Sequence, residues 1–269
     1  MRFVASLVFV VWGVGSAFLT ACAGPQAGSG ARVSRTDMVT ESDESELRRR
    51  ARLRLELAAG YFEQGQINVA LDEIKQSLGT DPSYVDAHNL RGLVYMRLNN
   101  VPLAEESFRH ALSLNPRDAD VAQNYGWLLC QQNRFDESFK MFERAVGNPT
   151  YGSKAKTMMT LGVCQARAGR KAEAEKTLLH AYELDAGNPV TGYNLASLLY
   201  ERNDLTRAQF YIRRINNSDL ANAETLWLGV KTELKMNNRE TALQLGEQLK
   251  KRFGQSSQAA LYDRGAFNE

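Results

Sequence analysis

The chain has 269 residues, 43% apolar and 24% charged, with 33 basic against 31 acidic side chains and three histidines. Near-balanced charge argues neither for nor against a particular partner, and no basic tail or stripe of interleaved basic and aromatic residues points to nucleic acid. Without zinc spacing, a phosphate-cradling glycine loop or a nucleophile elbow there is no convergent catalytic set. The chain therefore reads as a non-enzyme with no metal, no cofactor and no small-molecule substrate.

At the N-terminus, Met1-Arg2 precede an uncharged run from Phe3 to Leu19, which ends in Leu19-Thr20-Ala21-Cys22. One positive charge, an apolar stretch and small residues before a cleavage point are the parts of a secretory signal peptide. The stretch is shorter than the ~20 residues that span a bilayer; an uncleaved anchor is the alternative. Its ending resembles a bacterial lipobox, which implies a lipoprotein signal peptide over residues 1–21 and a lipidated Cys22 that begins the mature protein. In lipoproteins an Asp after that Cys resembles an inner-membrane retention signal. Ala23 in its place points to the outer membrane, with the protein facing the periplasm and held in outer-membrane lipid, where each buried methylene contributes ~0.8 kcal/mol. Residues 22–43, rich in Ala, Gly, Ser and charge, read as a flexible tether. A helix starts near Ser42-Asp43-Glu44-Ser45. Its arginines, Arg48, Arg49, Arg50, Arg52 and Arg54, read as a solvated face opposed by Glu44, Glu46 and Glu56, or alternatively as a contact with anionic lipid.

From there a period takes over. A small residue recurs as Ala58, Gly92, Gly126, Gly162, Ala196 and Gly229, at steps of 34, 34, 36, 34 and 33 residues. A second small position echoes it as Ala70, Ala104, Ser138, Ala174 and Ala208, each followed four residues later by a large one: Ile74, Phe108, Phe142, Leu178 and Ile212. The small residue lets the second helix of a hairpin approach the first, and the large one fills the space beside it. Asp81-Pro82, Asn115-Pro116 and Asn148-Pro149 close the first three units, since a proline ring cannot continue the helical ladder. Polar turns such as Gln64-Gly65-Gln66 and Asn99-Asn100 divide each hairpin. This is the tetratricopeptide pattern. It predicts an all-α solenoid over residues 44–269, about six helix-turn-helix repeats winding into a right-handed superhelix, rather than the two domains the length would allow. The sixth unit reads as degenerate, with Thr241 in the second small site and Ala242 beside it.

His110 and His180 share one repeat position, so they repeat a structure and do not make a metal pair. Cys130 and Cys164 sit at nearly equivalent places in neighbouring first helices. A disulfide between them is expected, since such bonds persist in oxidising compartments; two separate buried thiols are the alternative. First helices make the inner surface of such an array. Their inward positions here are Leu55, Ala59, Phe62, Leu93, Met96, Trp127, Met159, Tyr193 and Tyr200, and the partner-binding set is expected to be Leu55, Phe62, Leu93, Met96 and Trp127. Several of these residues equally suit packing between repeats. Chaperone-type carboxylate clamps place Lys and Asn at such sites, whereas unit one has Leu55 and Ala59.

The segment Asn124-Tyr125-Gly126-Trp127-Leu128-Leu129-Cys130-Gln131-Gln132, the run Arg134-Phe135-Asp136-Glu137, Asn148-Pro149-Thr150-Tyr151, Leu161-Gly162-Val163-Cys164 and Leu57-Ala58-Ala59-Gly60-Tyr61 together resemble the type IV pilus biogenesis and stability lipoproteins (the PilF/PilW family) over essentially the whole mature chain. The resemblance implies a pilotin. Such a lipoprotein binds the pilus secretin subunit and promotes its localisation and assembly into a multimeric pore, which supports pili and twitching. The rival reading is a scaffold lipoprotein that recruits cell-wall synthases or hydrolases.

Overall fold

A computed structural model describes residues 44–267; the signal peptide, Cys22 and the tether lie outside the described residues. Among the described residues there are thirteen helices and no strand. Twelve pair into six antiparallel hairpins: α1 (Glu46–Glu63) with α2 (Ile67–Thr80), α3 (Val85–Arg97) with α4 (Val101–Leu114), α5 (Ala119–Gln131) with α6 (Phe135–Val146), α7 (Lys154–Arg167) with α8 (Lys171–Leu184), α9 (Pro189–Glu201) with α10 (Leu205–Asn216), and α11 (Ala223–Lys235) with α12 (Arg239–Phe253). A short α13 (Ser257–Asp263) packs on the last pair.

Each hairpin turns the same way for the same reason. The residue just past the first helix has positive φ and is Asn or Gly in every unit: Gly65, Asn99, Asn133, Gly169, Asn203 and Asn237. Gly lacks the Cβ that opposes this conformation, and Asn tolerates it. The next residue's N–H then reaches back to a carbonyl five residues earlier, as Asn100 to Tyr95 (2.8 Å), Arg134 to Leu129 (3.0 Å) and Asp204 to Leu199 (2.8 Å). This bond closes the helix end by satisfying an otherwise orphaned carbonyl.

Sixteen residues apart within each hairpin, a small and a large side chain meet, and their sizes compensate. Ala58 faces Ile74 and Ala196 faces Ile212, whereas glycine stands opposite the bulkier or longer Phe108, Phe142 and Leu178. A Cβ on Gly92 would lie 2.5 Å from Phe108 Cε1, and one on Gly162 would lie 2.6 Å from Leu178 Cγ. The sixth unit departs from this rule. The exact 34-residue equivalents are Val230 and Ala242, both buried, and the equivalent of the large residue is Gly246. The expected assignment to Gly229 and Thr241 is therefore one residue out of register, because a search for small-then-large slides past a pair that reads large-then-small. Tyr262 of α13 occupies the space over Gly246, where a Cβ would collide with its ring. Phe267 packs on Trp227 with ring centroids 5.6 Å apart, so the last hairpin is capped by a segment that carries no repeat signature.

The two-residue insertion before α7 also has a packing reason. Tyr151 rests against Ala119, Ala122 and Ala145, and its hydroxyl lies 3.1 Å from Thr157 Oγ1 and donates to Asp120 at 3.3 Å. At the N-terminus four of the five arginines form ion pairs, Arg50 being the exception among the described residues. Arg48 pairs with Asp81, Arg49 with Glu46, Arg52 with Glu44 and Glu56, and Arg54 with Glu73.

Among the described residues one carboxylate is fully buried. Glu233 of α11 accepts from Arg213 Nε (2.7 Å), Gln209 Nε2 (2.8 Å) and Asn238 Nδ2 (2.8 Å), tying α10, α11 and the turn to α12. Burial alone would raise its pKa, but these donors outweigh burial and hold it below 4.5. The folded carboxyl thus takes its proton at lower pH than the unfolded one. In the interval beneath about pH 4.5 the unfolded chain holds more protons, and the stability this group contributes at neutral pH is lost as pH falls. Urea midpoints at pH 7 and pH 3.5 should show a smaller acid-induced loss for Glu233→Gln than for wild type; equal losses would contradict this.

Candidate functional site

Each first helix touches the first helix of the next unit, α1 to α3 and onward to α11, whereas the second helices of neighbouring units make no such contacts. First helices therefore crowd along the shorter, inner side of the array, and the candidate site is their shared wall.

All five expected partner-binding residues are half-buried on that wall. Leu55 packs on Ala51, Tyr84 and Ala87 and on Ala58, Ile74 and Val94; Phe62 shares the second of these groups. Leu93 and Met96 lean on the cluster around Phe108 and Leu128, and Trp127 on Phe139, Phe142 and Leu161. Each thus combines a packing role with an accessible edge. The structure does not gather them into one pocket. Trp127 alone lines a cleft of about 350 Å³, where Gln123, Lys156, Met159, Thr160, Val163, Val190 and Asn194 join it.

The cleft is built from adjacent copies of four repeat positions. Gln123 and Met159 are equivalent, as are Trp127 and Val163, Lys156 and Val190, and Thr160 and Asn194. Sequence reasoning found Met159 and Trp127 because they are large and apolar. The others are polar or small, but following each column by its 34- or 36-residue step identifies them. Beneath the cleft, Cys130 of α5 and Cys164 of α7 are joined as a disulfide with Cα atoms 6.0 Å apart, and both residues are fully buried. Ser138 Oγ donates to the Gly126 carbonyl at 2.7 Å and lies 3.5 Å from Cys164 Sγ.

Farther along, Tyr193 and Tyr200 pack on the cluster of Ala196, Ile212 and Leu228. Lys235 Nζ sits 4.0 Å from the Tyr200 ring centroid, and Lys231 lies between the Tyr200 and Trp227 rings at 5.6 and 5.5 Å. Burial, then the nearby Lys235, lowers the Lys231 pKa. At the opposite end, Asp86 is pushed up by burial and by the charges of Asp118 and Asp120. His88, also pushed down by burial, stacks edge-on against His110 with centroids 4.3 Å apart. Among the described residues no three metal-capable side chains converge, and no helix is long and apolar enough to cross a membrane.

The tetratricopeptide repeat model matches residues 55–119, 92–153 and 125–189, together half of the chain. The type IV pilus assembly protein PilF of Pseudomonas aeruginosa is 28% identical over 199 residues, covering 74% of this chain and 79% of PilF. The crystal structure of PilW, a widely conserved type IV pilus biogenesis factor, superposes with a TM-score of 0.72 at 28% identity, covering 79% of this chain and 97% of that one. The Pseudomonas aeruginosa PilF structure gives 0.74 at 25% identity over 82% of this chain and the whole of the other. An uncharacterised Haemophilus influenzae protein is 27% identical over 135 residues, half of this chain and 75% of that protein. A stack of antiparallel helix pairs, shared along most of its length with these proteins, places the chain in the tetratricopeptide repeat family as a homologue of the type IV pilus biogenesis proteins PilF and PilW.

Proposed function

We propose that the chain is an outer-membrane lipoprotein, anchored through acylated Cys22 and facing the periplasm, that binds the type IV pilus secretin subunit on its inner wall and promotes secretin localisation and multimerisation. The observation that carries this reading is the homology to PilF and PilW along about three quarters of the chain. The wall supplies what such a role needs. Rigid stacked repeats present half-exposed apolar side chains in register, a surface suited to an extended or amphipathic protein segment. A strain lacking the chain should lose secretin multimers, surface pili and twitching while keeping normal cell shape. Intact multimers with altered shape or wall sensitivity would favour a scaffold for cell-wall enzymes instead.

The anchor has its own test. Cys22→Ala should abolish acylation and release the protein from the outer membrane, because stable anchoring rests on the acyl chains. Ala23→Asp should move it toward the inner membrane. Mass spectrometry of the wild-type N-terminal peptide showing an unmodified Cys22 would overturn the anchor.

A further inference from the structure

One repeat position on the wall breaks its own pattern. From unit one to unit six it reads Arg52, Asp86, Asp120, Lys156, Val190 and Glu224; Arg52 lies in the second turn of α1, and the other five lie at the start of their helices. An acid there suits the positive end of the helix macrodipole, and a lysine does not. Among the first helices α7 alone opens on basic residues without an acid, although α3 shares its lack of a side-chain cap bond and α9 its lack of a first-turn acid. The α7 N-cap, Ser153, makes no side-chain cap bond, and the first turn of α7 carries Lys154 and Lys156 with no acid. No acidic residue occurs between Glu143 and Glu173. The exposed Lys156 ammonium has no hydrogen bond or ion pair among the described residues.

Lys156 is also part of the cleft, at the edge of an apolar interior made by Trp127, Met159, Val163 and the half-exposed Val190. At about 350 Å³ the cleft lies at the small end of ligand-pocket volumes, enough for one or two side chains and too little for a folded element. The wall toward unit two is acidic, with Asp86, Asp118 and Asp120 close enough to raise the Asp86 pKa. Asp120 accepts from the Tyr151 hydroxyl and Asp118 from the Val121 N–H, which holds both side chains in place.

From the charge reversal at Lys156 beside this apolar cleft, we infer that the cleft recognises an extended protein segment in which an apolar side chain fills the space by Trp127 and a neighbouring carboxylate pairs with Lys156. The inference deepens the secretin reading by naming the chemistry of the bound segment. A single carboxylate fits; a polyacidic run does not, because Asp86, Asp118 and Asp120 repel its continuation toward unit two. Exposed charges at the edge of an interface set selectivity and association rate more than total affinity.

The test uses the full-length protein, with tryptophan indole N–H signals read by NMR, and three peptides of one Gly-Ser-Asn frame carrying a central Leu followed by Asp, Asn or Lys. The Leu-Asp peptide is expected to shift the Trp127 signal and leave Trp227 unmoved, binding about tenfold more tightly than Leu-Lys, or 1.4 kcal/mol. Lys156→Asp, which installs the residue type of units two and three on an exposed site, should invert that order while the circular dichroism stays native. The inference is overturned if no peptide moves Trp127 at millimolar concentration, if Asp and Lys peptides bind within twofold of each other, or if the order survives Lys156→Asp. Co-purification of the secretin subunit, measured in parallel, separates the two claims. Secretin retained with no peptide preference overturns the inference and leaves the pilus reading standing; a preference that inverts without secretin retention does the opposite.

Discussion

Replacing both Cys130 and Cys164 by Ala is expected to lower stability by about 3 to 4 kcal/mol, the entropy that a closed loop of this size removes from the unfolded chain. The bond joins residues 34 apart, one full repeat, and ties α5 to α7. Alanine is the informative replacement, because serine would bury a hydroxyl at two sites with no exposure. In a solenoid the loss should be local. Each unit contacts only its neighbours, so units three and four should lose hydrogen-exchange protection first, while helix content at room temperature is retained. Reducing agent should reproduce the effect in wild type and add nothing in the double variant. Equal melting of oxidised wild type and the double variant would contradict this role for the bond.

The second large effect concerns the small–large pair of unit two. Phe108 is fully buried beneath Gly92, and Phe108→Ala should cost about 3 to 5 kcal/mol through lost burial and the cavity left behind. Gly92→Ala improves helix propensity, but its Cβ would fall 2.5 Å from the Phe108 ring, and overpacking of this kind costs about 1 to 3 kcal/mol. Units one and five place Ala opposite Ile, so Gly92→Ala combined with Phe108→Ile recreates a pairing the chain already uses. A denaturant-melting cycle should show the double variant more stable than the sum of the singles predicts, by 0.5 kcal/mol or more. Additive singles would mean that the two positions do not compensate.

The fold was legible because the repeat states one constraint many times. The small–large pairs and polar turns recur through units one to five and the closing prolines through units one to three, and the structure uses them as that recurrence implies. Unit six was misread for a physical reason: Val230 stands at the small position and Gly246 at the large one, and Tyr262 of α13 fills the space over Gly246. Helix α13 was invisible because it belongs to no repeat, although Ser256 caps it by accepting from the Ala259 N–H at 3.1 Å. Glu233 was equally hidden, since a buried carboxylate looks like any helical acid until Arg213, Gln209 and Asn238 are seen converging on it. On the wall, large apolar residues stood out at Leu55, Phe62, Leu93, Met96 and Trp127. Which of them shares a cavity depends on how neighbouring units stack, and that geometry brought Trp127 together with residues from α7 and α9 while leaving the other four apart.

Whether the inner wall holds the pilus secretin subunit is tested most directly by the recovery of secretin with the detergent-solubilised full-length protein carrying Phe62→Ala or Trp127→Ala. Both side chains keep an exposed edge, and truncating a well-packed aromatic anchor costs an interface about 2 kcal/mol or more. Circular dichroism on the same samples identifies variants that remain folded. Folded Trp127→Ala protein should recover at least tenfold less secretin than wild type and support fewer multimers. Wild-type recovery by folded variants at Leu55, Phe62, Leu93, Met96 and Trp127 alike would contradict secretin binding on this wall.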